Sequence, residues 1–282
     1  MNLPLPRTRN AESHKGDYGR TLIVGGSLGM SGAAAMAGKA CLRSGAGLVT
    51  IATAEPSIQA VAAYEPSYMT RALPADAQGR IHQSSLEPIE DLLFASDCVA
   101  VGPGLGRSLS LGSFVSQLYQ RVGVPLVVDA DAINMLAKHP AAIDSPGGTR
   151  VFTPHPGEFR RLADVSLDDR EGLEQKARQW AADHRAIVVL KGHRSFITDG
   201  ERGHRNETGN PGMATGGSGD VLTGVIAGLI SQGYSPWDAS VLGCHLHGLA
   251  GDFAAKRLGE ISMIASDIVE ALPEAFMQWV AR

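Results

Sequence analysis

Residues 21–52 read TLIVGGSLGMSGAAAMAGKACLRSGAGLVTIA, and this stretch decides the fold class. Two short apolar runs, Thr21–Gly25 and Leu48–Ala52, flank a longer segment with a helical pattern at Ser31–Arg43. Each run is apolar almost without interruption, which is typical of strands that are covered on both faces. A strand, a helix and a strand in this order indicate an α/β fold with a parallel sheet.

The same alternation continues along the chain and predicts a central, mostly parallel sheet with helices on both faces. The further predicted strands are Cys98–Val101, Leu126–Asp129, Arg150–Phe152 and Ala186–Leu190. Hairpin-like strands at a sheet edge are expected at Ser195–Thr198 and near Gly203–Asn206. The further predicted helices are Leu109–Arg121, Ala132–Lys138, Asp169–His184, Gly219–Ser231, Pro236–Leu258 and Ala265–Val280. No repeat or long linker divides the sequence, so we expect a single domain over residues 1–282.

Composition excludes several classes of function. A net charge of −4 provides no basic footprint, so we expect no nucleic-acid partner. The cysteines Cys41, Cys98 and Cys244 are scattered and form no CxxC pair, which argues against a disulfide framework or a zinc site and fits a reducing compartment. The sequence begins without the apolar region of a signal peptide, and its longest apolar stretches, about 10 residues, are too short to cross a bilayer. We therefore expect a cytoplasmic protein without a membrane partner.

Glycine-rich or polar turns follow the predicted strands directly. These turns are Gly25-Gly26-Ser27, Gly102–Gly106, Asp129–Asp131 and Lys191-Gly192. In open α/β sheets, ligands bind outside the carboxyl ends of the strands. Clustered glycine also lets the backbone approach a ligand closely. We therefore expect the turns to meet along one rim and to line a single cleft.

The strongest local signal is Gly216-Gly217-Ser218-Gly219-Asp220, which runs straight into an apolar helix. Free backbone N–H groups and the helix dipole at such a turn form a site for anions such as phosphate. Asp220 falls in the first turn of that helix, where it could act as a base beside a bound phosphoryl group. The same pattern also fits a plain helix cap by Asp220.

Two further stretches carry polar groups into the predicted cleft. Thr153–Phe159 contains two prolines and presents His155 and Glu158, although a rigid turn with Glu158 favoured by the helix dipole explains the pattern equally well. At Lys191–Ser195, a buried strand ends in a cationic turn, which fits either a phosphate site or a solvated loop. The chain contains no GxxxxGK[ST] loop, and Gly102–Gly106 is no GxGxxG fingerprint, so a Rossmann dehydrogenase is poorly supported.

The remaining polar residues give weaker signals. His245 and His247 are two positions apart on a predicted helix, face different ways and are interpreted as ordinary helix residues. Asp129 and Asp131 could hold Mg²⁺ through water, or Asp131 could be the N-cap of the following helix. No residue set has the tetrahedral spacing of zinc ligands, and no GxSxG elbow is present.

Taken together, the motifs resemble the ADP/ATP-dependent NAD(P)H-hydrate dehydratases. The resemblance begins with Lys15-Gly16-Asp17-Tyr18-Gly19, Gly25-Gly26-Ser27 and Arg43–Val49. It continues through Val101–Gly106, Asp129–Asn134, Thr153–Phe159, Lys191-Gly192 and Asn210–Asp220. It therefore extends from about His14 to the C-terminal helix, and the motifs occur in the family's order.

The resemblance implies a ribokinase-like fold and a lyase that acts on the S epimer of NADHX or NADPHX, with ADP or ATP as phosphoryl donor. It implies nucleotide binding by Lys191, Gly192, His193, Arg194, Ser195 and Gly219. It implies substrate binding by Ala40, Gly104, Gly106, His155 and Asp220. Mg²⁺ is expected, although no residue is assigned as a direct ligand. A homotetramer is also expected, without an N-terminal epimerase domain.

On this interpretation Asp220 is the catalytic residue that takes the hydroxyl proton during phosphoryl transfer, after which phosphate leaves readily. The main alternative is a vitamin-precursor kinase of the same fold, which would release a stable phosphorylated product. The Lys15–Gly19 and Thr153–Phe159 motifs count against that alternative. A nucleotide-sensing regulatory protein would bind without turnover and would need no base at Asp220.

Overall fold

A computed structural model of the chain describes residues 3–166 and 169–281, and the strands of these residues form one sheet. The strands are β1 (Arg20–Val24), β2 (Leu48–Ala54), β3 (Met69–Leu73), β4 (Cys98–Val101), β5 (Leu126–Val128), β6 (Arg150–Phe152), β7 (Ile187–Leu190), β8 (Phe196–Thr198) and β9 (Gly203–Arg205). The helices are α1 (Ser31–Arg43), α2 (Ile58–Tyr64), α3 (Glu90–Ala95), α4 (Leu109–Arg121), α5 (Ala130–Leu136), α6 (Pro140–Ile143), α7 (Pro156–Leu162), α8 (Arg170–His184), α9 (Ser218–Ser231), α10 (Pro236–Leu258) and α11 (Ala265–Val280).

The strand order is β3-β2-β1-β4-β5-β6-β7-β8-β9. All neighbours from β3 to β7 are parallel, and β8 and β9 add an antiparallel hairpin at one edge. The predicted mostly parallel sheet with an edge hairpin is therefore confirmed. The chain builds outward from β1 in one direction and then from β4 in the other, so the boundary between β1 and β4 is a topological switch point of the kind at which ligands bind in open α/β sheets.

Alternate side chains of the strands enter two separate cores. In β4, Cys98 and Ala100 pack with α1, α9, α10 and α11, whereas Val99 and Val101 pack with α4, α5 and α8. Because strand side chains point alternately to opposite faces, this division shows helices on both faces, as predicted. None of the helices in the described residues is long and apolar enough to span a membrane.

A few elements of the structure differ from those predicted. Strand β3 lies at the edge opposite the hairpin and is exposed or half-buried except at Leu73, so it lacks the apolar run of a buried strand. The short helices α2, α3 and α6 also escaped prediction because they contain too few turns for a helical period. Helix α5 begins at Ala130, with Asp129 at the N-cap position, so the alternative that Asp131 is the N-cap is wrong.

Helices α1 and α9 pack in close backbone contact over the centre of the sheet. A Cβ atom at Gly224 of α9 would lie 2.0 Å from the carbonyl oxygen of Ala37 in α1. Real Cβ atoms do not approach oxygen so closely, and only glycine allows this spacing. The contact seats the N-terminus of α9, with its glycine-rich turn, at the carboxyl ends of the central strands.

The close contact predicts that Gly224→Ala will destabilise the protein by separating α1 from α9. Overpacked cores typically lose about 1–3 kcal/mol. Gly32 is the matched control because a Cβ there meets nothing within 4 Å, and alanine in place of a helical glycine should be neutral or stabilising by up to about 1 kcal/mol. Urea unfolding of both variants measures the difference, and equal free energies of unfolding would contradict the packing argument.

Candidate active site

A buried carboxylate joins three elements at the carboxyl ends of the strands. Asp129 follows β5 and is 1% exposed. Its Oδ1 accepts hydrogen bonds from Lys191 Nζ at 2.7 Å and from Thr153 Oγ1 at 2.8 Å. Its Oδ2 accepts a hydrogen bond from Thr223 Oγ1 of α9 at 2.8 Å. Protein donors thus engage both oxygens, and Asp129 serves as a structural link rather than as the metal ligand considered from sequence.

Lys191 provides the positive charge of this cluster. Its Nζ also lies 3.8 Å from Glu158 Oε2. Burial alone would lower the pKa of Lys191, but the charges of Asp129 and Glu158 outweigh burial and raise the pKa. The ammonium group is therefore held charged and faces α9, where a Cβ at Gly219 would lie 3.1 Å from Nζ. Because residue 219 is glycine, no side chain separates the Lys191 ammonium group from the backbone N–H groups at the start of α9.

Asp220 is the third residue of α9 and does not cap it. The N-cap is Gly217, which has a left-handed φ of 94° and makes no side-chain cap, so the capping interpretation is wrong. Among the described residues, none donates a hydrogen bond to the Asp220 carboxylate. Burial raises its pKa to about 7, and the negative charge of Asp129 adds to this effect while Lys191 opposes it. A half-buried carboxyl group with this pKa can exchange a proton near neutral pH.

A cavity of about 830 Å³ opens beside the N-terminus of α9. It brings together all the residues that the sequence analysis assigned to the nucleotide, namely Lys191, Gly192, His193, Arg194, Ser195 and Gly219. His155 lines the same cavity, although it was assigned to the substrate. The cavity is large enough for a drug-sized ligand, and the dipole of the 14-residue helix α9 points its positive end at the cavity.

His155 combines a structural role with a place on the cavity wall. Its Nδ1 accepts hydrogen bonds from the backbone N–H groups of Gly157 and Glu158. In return, the Glu158 carboxylate accepts a hydrogen bond from the backbone N–H of His155. This reciprocal capping box confirms the rigid-turn interpretation of the motif. Burial lowers the pKa of His155, although the negative charge of Glu158 partly offsets it.

The loop after β4 contains two of the glycines assigned to the substrate from the sequence. Gly104 and Gly106 adopt left-handed φ values of 63° and 74°. The Gly106 N–H donates to Asp131 Oδ2 at 2.9 Å, and the charge of Asp131 in turn helps to raise the pKa of Asp220. Neither glycine lines the cavity of about 830 Å³, and Gly106 is connected to the surroundings of Asp220 only by way of Asp131.

Ala40 differs from the other predicted substrate residues. It lies in the C-terminal half of α1, is 0% exposed and packs in the core shared with α9. Its carbonyl oxygen accepts the hydroxyl hydrogen bond of Ser44 at 2.8 Å. The described part of the chain gives Ala40 no free surface, so its contact with a substrate stays a prediction without a geometric basis.

His247 of α10 is a cavity residue that the sequence analysis treated as an ordinary helix residue. It is 9% exposed, and its Nε2 lies 3.4 Å from the hydroxyl oxygen of Ser218, the first residue of α9. Burial lowers the pKa of His247 to about 4, so the ring is neutral at physiological pH. Only the packing of α10 against α9 brings His247 to the cavity, and the helix period gives no signal of that contact.

The mostly parallel nine-stranded sheet with helices on both faces is that of a ribokinase-like protein. The fold matches a ribokinase-like superfamily protein from Enterococcus faecalis with a TM-score of 0.81 and 28% identity, over 98% of this chain and 92% of that protein. The family model for NAD(P)H-hydrate dehydratase matches residues 21–274. The chain therefore belongs to the NAD(P)H-hydrate dehydratase family.

Individual relatives agree with this assignment. A bifunctional NAD(P)H-hydrate repair enzyme from Moorella thermoacetica is 46% identical over 277 residues, which cover 95% of this chain and 51% of the relative. The chain spans about half the length of the curated relatives it matches. An ADP/ATP-dependent NAD(P)H-hydrate dehydratase from Bacillus subtilis, co-crystallised with ATP and Mg²⁺, has a TM-score of 0.81 and 28% identity over 99% of both chains.

The raised pKa of Asp220 predicts a pH-dependent stability difference. Between about pH 4 and 7 the folded state retains a proton that the unfolded chain has lost, so ionisation of Asp220 costs stability as the pH rises toward 7. Asp220→Asn should therefore melt a few degrees above the parent protein at pH 8, and the gap should close toward pH 4. Thermal unfolding across this range measures the gap, and an equal melting temperature at pH 8 would contradict the raised pKa.

Proposed function

We propose that the protein dehydrates the S epimers of NADHX and NADPHX to NADH and NADPH, with ADP or ATP as the phosphoryl donor. The observation that carries the proposal is the unpaired carboxylate of Asp220. Among the described residues, none donates a hydrogen bond to it, and it directly follows Gly219, which lines the cavity. Asp131, whose Oδ2 accepts a hydrogen bond from the Gly106 N–H, helps to raise the pKa of Asp220. Asp220 can therefore serve as a base for a nucleotide in the cavity and an acceptor held at the Gly104–Gly106 loop.

The nucleotide occupies the cavity between the Lys191–Ser195 turn and the N-terminus of α9. Its phosphates face the backbone N–H groups of the Gly216–Gly219 turn, because these groups and the helix dipole favour negative charge. The ammonium group of Lys191 stabilises the charge on the transferred phosphoryl group. The family assignment and the co-crystallisation of the Bacillus subtilis relative with ATP and Mg²⁺ support a nucleotide as the ligand.

The reaction proceeds by phosphoryl transfer and elimination. The ring hydroxyl oxygen of the hydrate attacks the terminal phosphorus, the bond from that phosphorus to the nucleotide breaks, and Asp220 accepts the hydroxyl proton. The ring C–O bond then breaks as phosphate departs, and the neighbouring ring carbon loses a proton to form the double bond. Phosphate leaves far more readily than hydroxide, so a kinase-like site acts as a lyase. A pKa of about 7 suits Asp220 to this proton transfer.

The magnesium ion arrives with the nucleotide and lies beside the acidic residues around Asp220, since no group of three potential ligands in the described residues could hold a metal by itself. Asp129, Asp131 and Glu158 all lie close enough for their charges to raise the pKa of Asp220, and Lys191 is the cation that opposes them. Mg²⁺ commonly binds one or two carboxylates, several waters and substrate phosphates. Asp131 Oδ2 accepts a hydrogen bond from the Gly106 N–H at 2.9 Å and Oδ1 one from Arg107 Nε at 3.0 Å, so Asp131 would hold the ion only through water. The ion when bound would neutralise charge on the phosphate oxygens. Asp129 is excluded as a ligand because it is 1% exposed and protein donors engage both its oxygens.

Several features remain proposals of their own. Gly104, Gly106 and His155 are proposed to contact the hydrate, and residues 1–282 are proposed to form one dehydratase domain in a cytoplasmic homotetramer. The continuous sheet supports a single domain. The buried, unpaired state of the three cysteines is compatible with a reducing compartment. Light scattering of the purified protein tests the tetramer.

The proposed activity predicts that NADHX is converted to NADH only when ADP or ATP is present with Mg²⁺. Because only the dihydronicotinamide ring absorbs in the near ultraviolet, a nucleotide-dependent rise in that absorbance measures the reaction and identifies the donor. No rise in this absorbance with either nucleotide, when the NADHX substrate has been validated, would contradict the proposal. Consumption of nucleotide with a stable phosphorylated vitamin precursor would favour the kinase alternative, and binding without turnover would favour the regulatory one.

The proposed role of Asp220 predicts that Asp220→Asn lowers kcat by about 10²–10⁴-fold. Nucleotide affinity should change little, because the Gly216–Gly219 amides and Lys191 are retained. In the parent protein the rate should rise with pH through about 7, as the Asp220 carboxyl ionises. Steady-state kinetics and nucleotide titration measure the two effects separately. Full turnover by the variant would refute the assigned role.

A further inference from the structure

The Lys191–Ser195 turn adopts a backbone conformation that needs external support. Gly192 and Arg194 have φ values of 144° and 54°, and Arg194 is one of few non-glycine residues of the described chain with positive φ. A side chain in this region costs free energy, so surrounding contacts must hold the turn in place. Within and beside the turn, the backbone N–H of Lys191 donates a hydrogen bond to the carbonyl oxygen of Pro154, and the Ser195 hydroxyl donates one to the carbonyl oxygen of Gly192.

Arg170, the first residue of α8, contacts both ends of this turn. Its Nη1 donates to the carbonyl oxygen of Lys191 at 3.5 Å, and its Nη2 donates to those of Leu190 and Arg194 at 3.5 and 3.2 Å. A Cβ at Gly192 would lie 3.0 Å from Nη1, so the guanidinium group packs directly against the turn. One planar group thus fixes the spacing of three backbone carbonyls.

Glu174 holds the guanidinium group of Arg170 in that orientation. It lies one helical turn further along α8 and is 5% exposed. Its Oε1 accepts a hydrogen bond from Arg170 Nε at 2.8 Å, and its Oε2 accepts two from Arg205 of β9 at 2.9 and 2.6 Å. Charge-assisted bonds of this kind are strong and directional. The edge hairpin, α8 and the turn are therefore connected through one carboxylate.

The arrangement places Arg170 behind the turn rather than in the nucleotide cavity. Lys191, Gly192 and Arg194 line the cavity of about 830 Å³, and Arg170 is not among its lining residues. Glu174 and Arg205 line a separate polar cavity of about 570 Å³, and Arg194 borders both. Arg170 and Glu174 can therefore affect a nucleotide in the larger cavity only through the backbone of the turn.

We propose that Arg170, oriented by Glu174, is a positioning residue that sets the Lys191–Ser195 turn for binding of the ADP or ATP phosphates. The inference rests on the proposed function in assigning this turn to the nucleotide. It assigns Arg170 no contact with the nucleotide, the hydrate or Asp220. Loss of Arg170 should therefore weaken nucleotide binding and leave the chemical step intact.

The first test compares nucleotide binding by Arg170→Gln, Arg170→Lys and Glu174→Gln with that of the parent protein. Calorimetric titration with ADP and with a non-hydrolysable ATP analogue should show a Kd raised about tenfold or more for both Arg170 variants. Lysine keeps the charge but lacks the planar fork that contacts three carbonyls, so it should not rescue binding. Glu174→Gln should give a smaller rise, because an amide oxygen can still accept from Arg170.

Arg178→Gln is the matched control. Arg178 lies on the same helix and lines the same polar cavity as Glu174, but it donates to the carbonyl oxygen of Glu201 at 2.7 Å instead of to the turn. Its nucleotide Kd should equal that of the parent protein. Thermal unfolding of all variants identifies any that fail to fold, and Arg170→Lys and Glu174→Gln keep the test informative if Arg170→Gln is unstable.

Kinetics provides the second test. The KM for nucleotide should rise in the Arg170 variants, while kcat at saturating nucleotide and the KM for NADHX stay within about twofold of the parent values. A folded Arg170→Gln with unchanged nucleotide Kd would overturn the proposal, and so would rescue by lysine or an equal rise for Arg178→Gln. If the parent protein binds nucleotide without dehydrating NADHX, the proposed function fails alone, and the Kd comparison still decides the role of Arg170.

Discussion

The buried contact of Asp129 with Lys191 and Thr223 is the interaction on which the site depends. Removing a carboxylate and an ammonium from water is costly, and only close pairing with further hydrogen bonds offsets the cost. Thr153 and Thr223 supply those bonds to Asp129. The contact ties β5, the turn after β7 and the N-terminus of α9 to one point. Without it, Lys191 and the backbone N–H groups at the start of α9 would lose the fixed separation that the proposed phosphate site requires.

Close backbone approach makes this contact possible. A Cβ at Gly102 would lie 1.9 Å from the carbonyl oxygen of Asp129, and one at Gly219 would lie 3.1 Å from Nζ of Lys191. Gly224 in turn lets α9 pack against α1. Glycine therefore occurs where the elements converge, and its role is spacing as much as flexibility. The same convergence buries Asp220 and adds the negative charge of Asp129, and together they raise the pKa of the Asp220 carboxyl to about 7, which suits the base proposed for phosphoryl transfer.

In the proposed reaction the site has one face for the phosphoryl donor and another for the acceptor, and Asp220 serves both. The proposed donor face combines a helix N-terminus with a turn contacted by Arg170, which Glu174 orients. The proposed acceptor face is the left-handed loop at Gly104 and Gly106, where the Gly106 N–H donates to Asp131. Kinases and a dehydratase can share this division, because both transfer phosphate to a hydroxyl group and differ only in the stability of the product. Fold alone therefore could not assign the reaction, and the ordered motifs were needed.

The sequence by itself determined the fold class, the family and the limits of helices such as Ser31–Arg43 and Pro236–Leu258. These features depend on local apolar periodicity and on glycine-rich turns, which neighbouring residues encode. The tertiary structure alone decided that Asp129 is fully engaged, that Asp220 does not cap α9, that His247 reaches the cavity and that Arg170 supports the turn. Each of these depends on contacts between residues far apart in the chain, and burial at those contacts sets the charges and pKa values of the site.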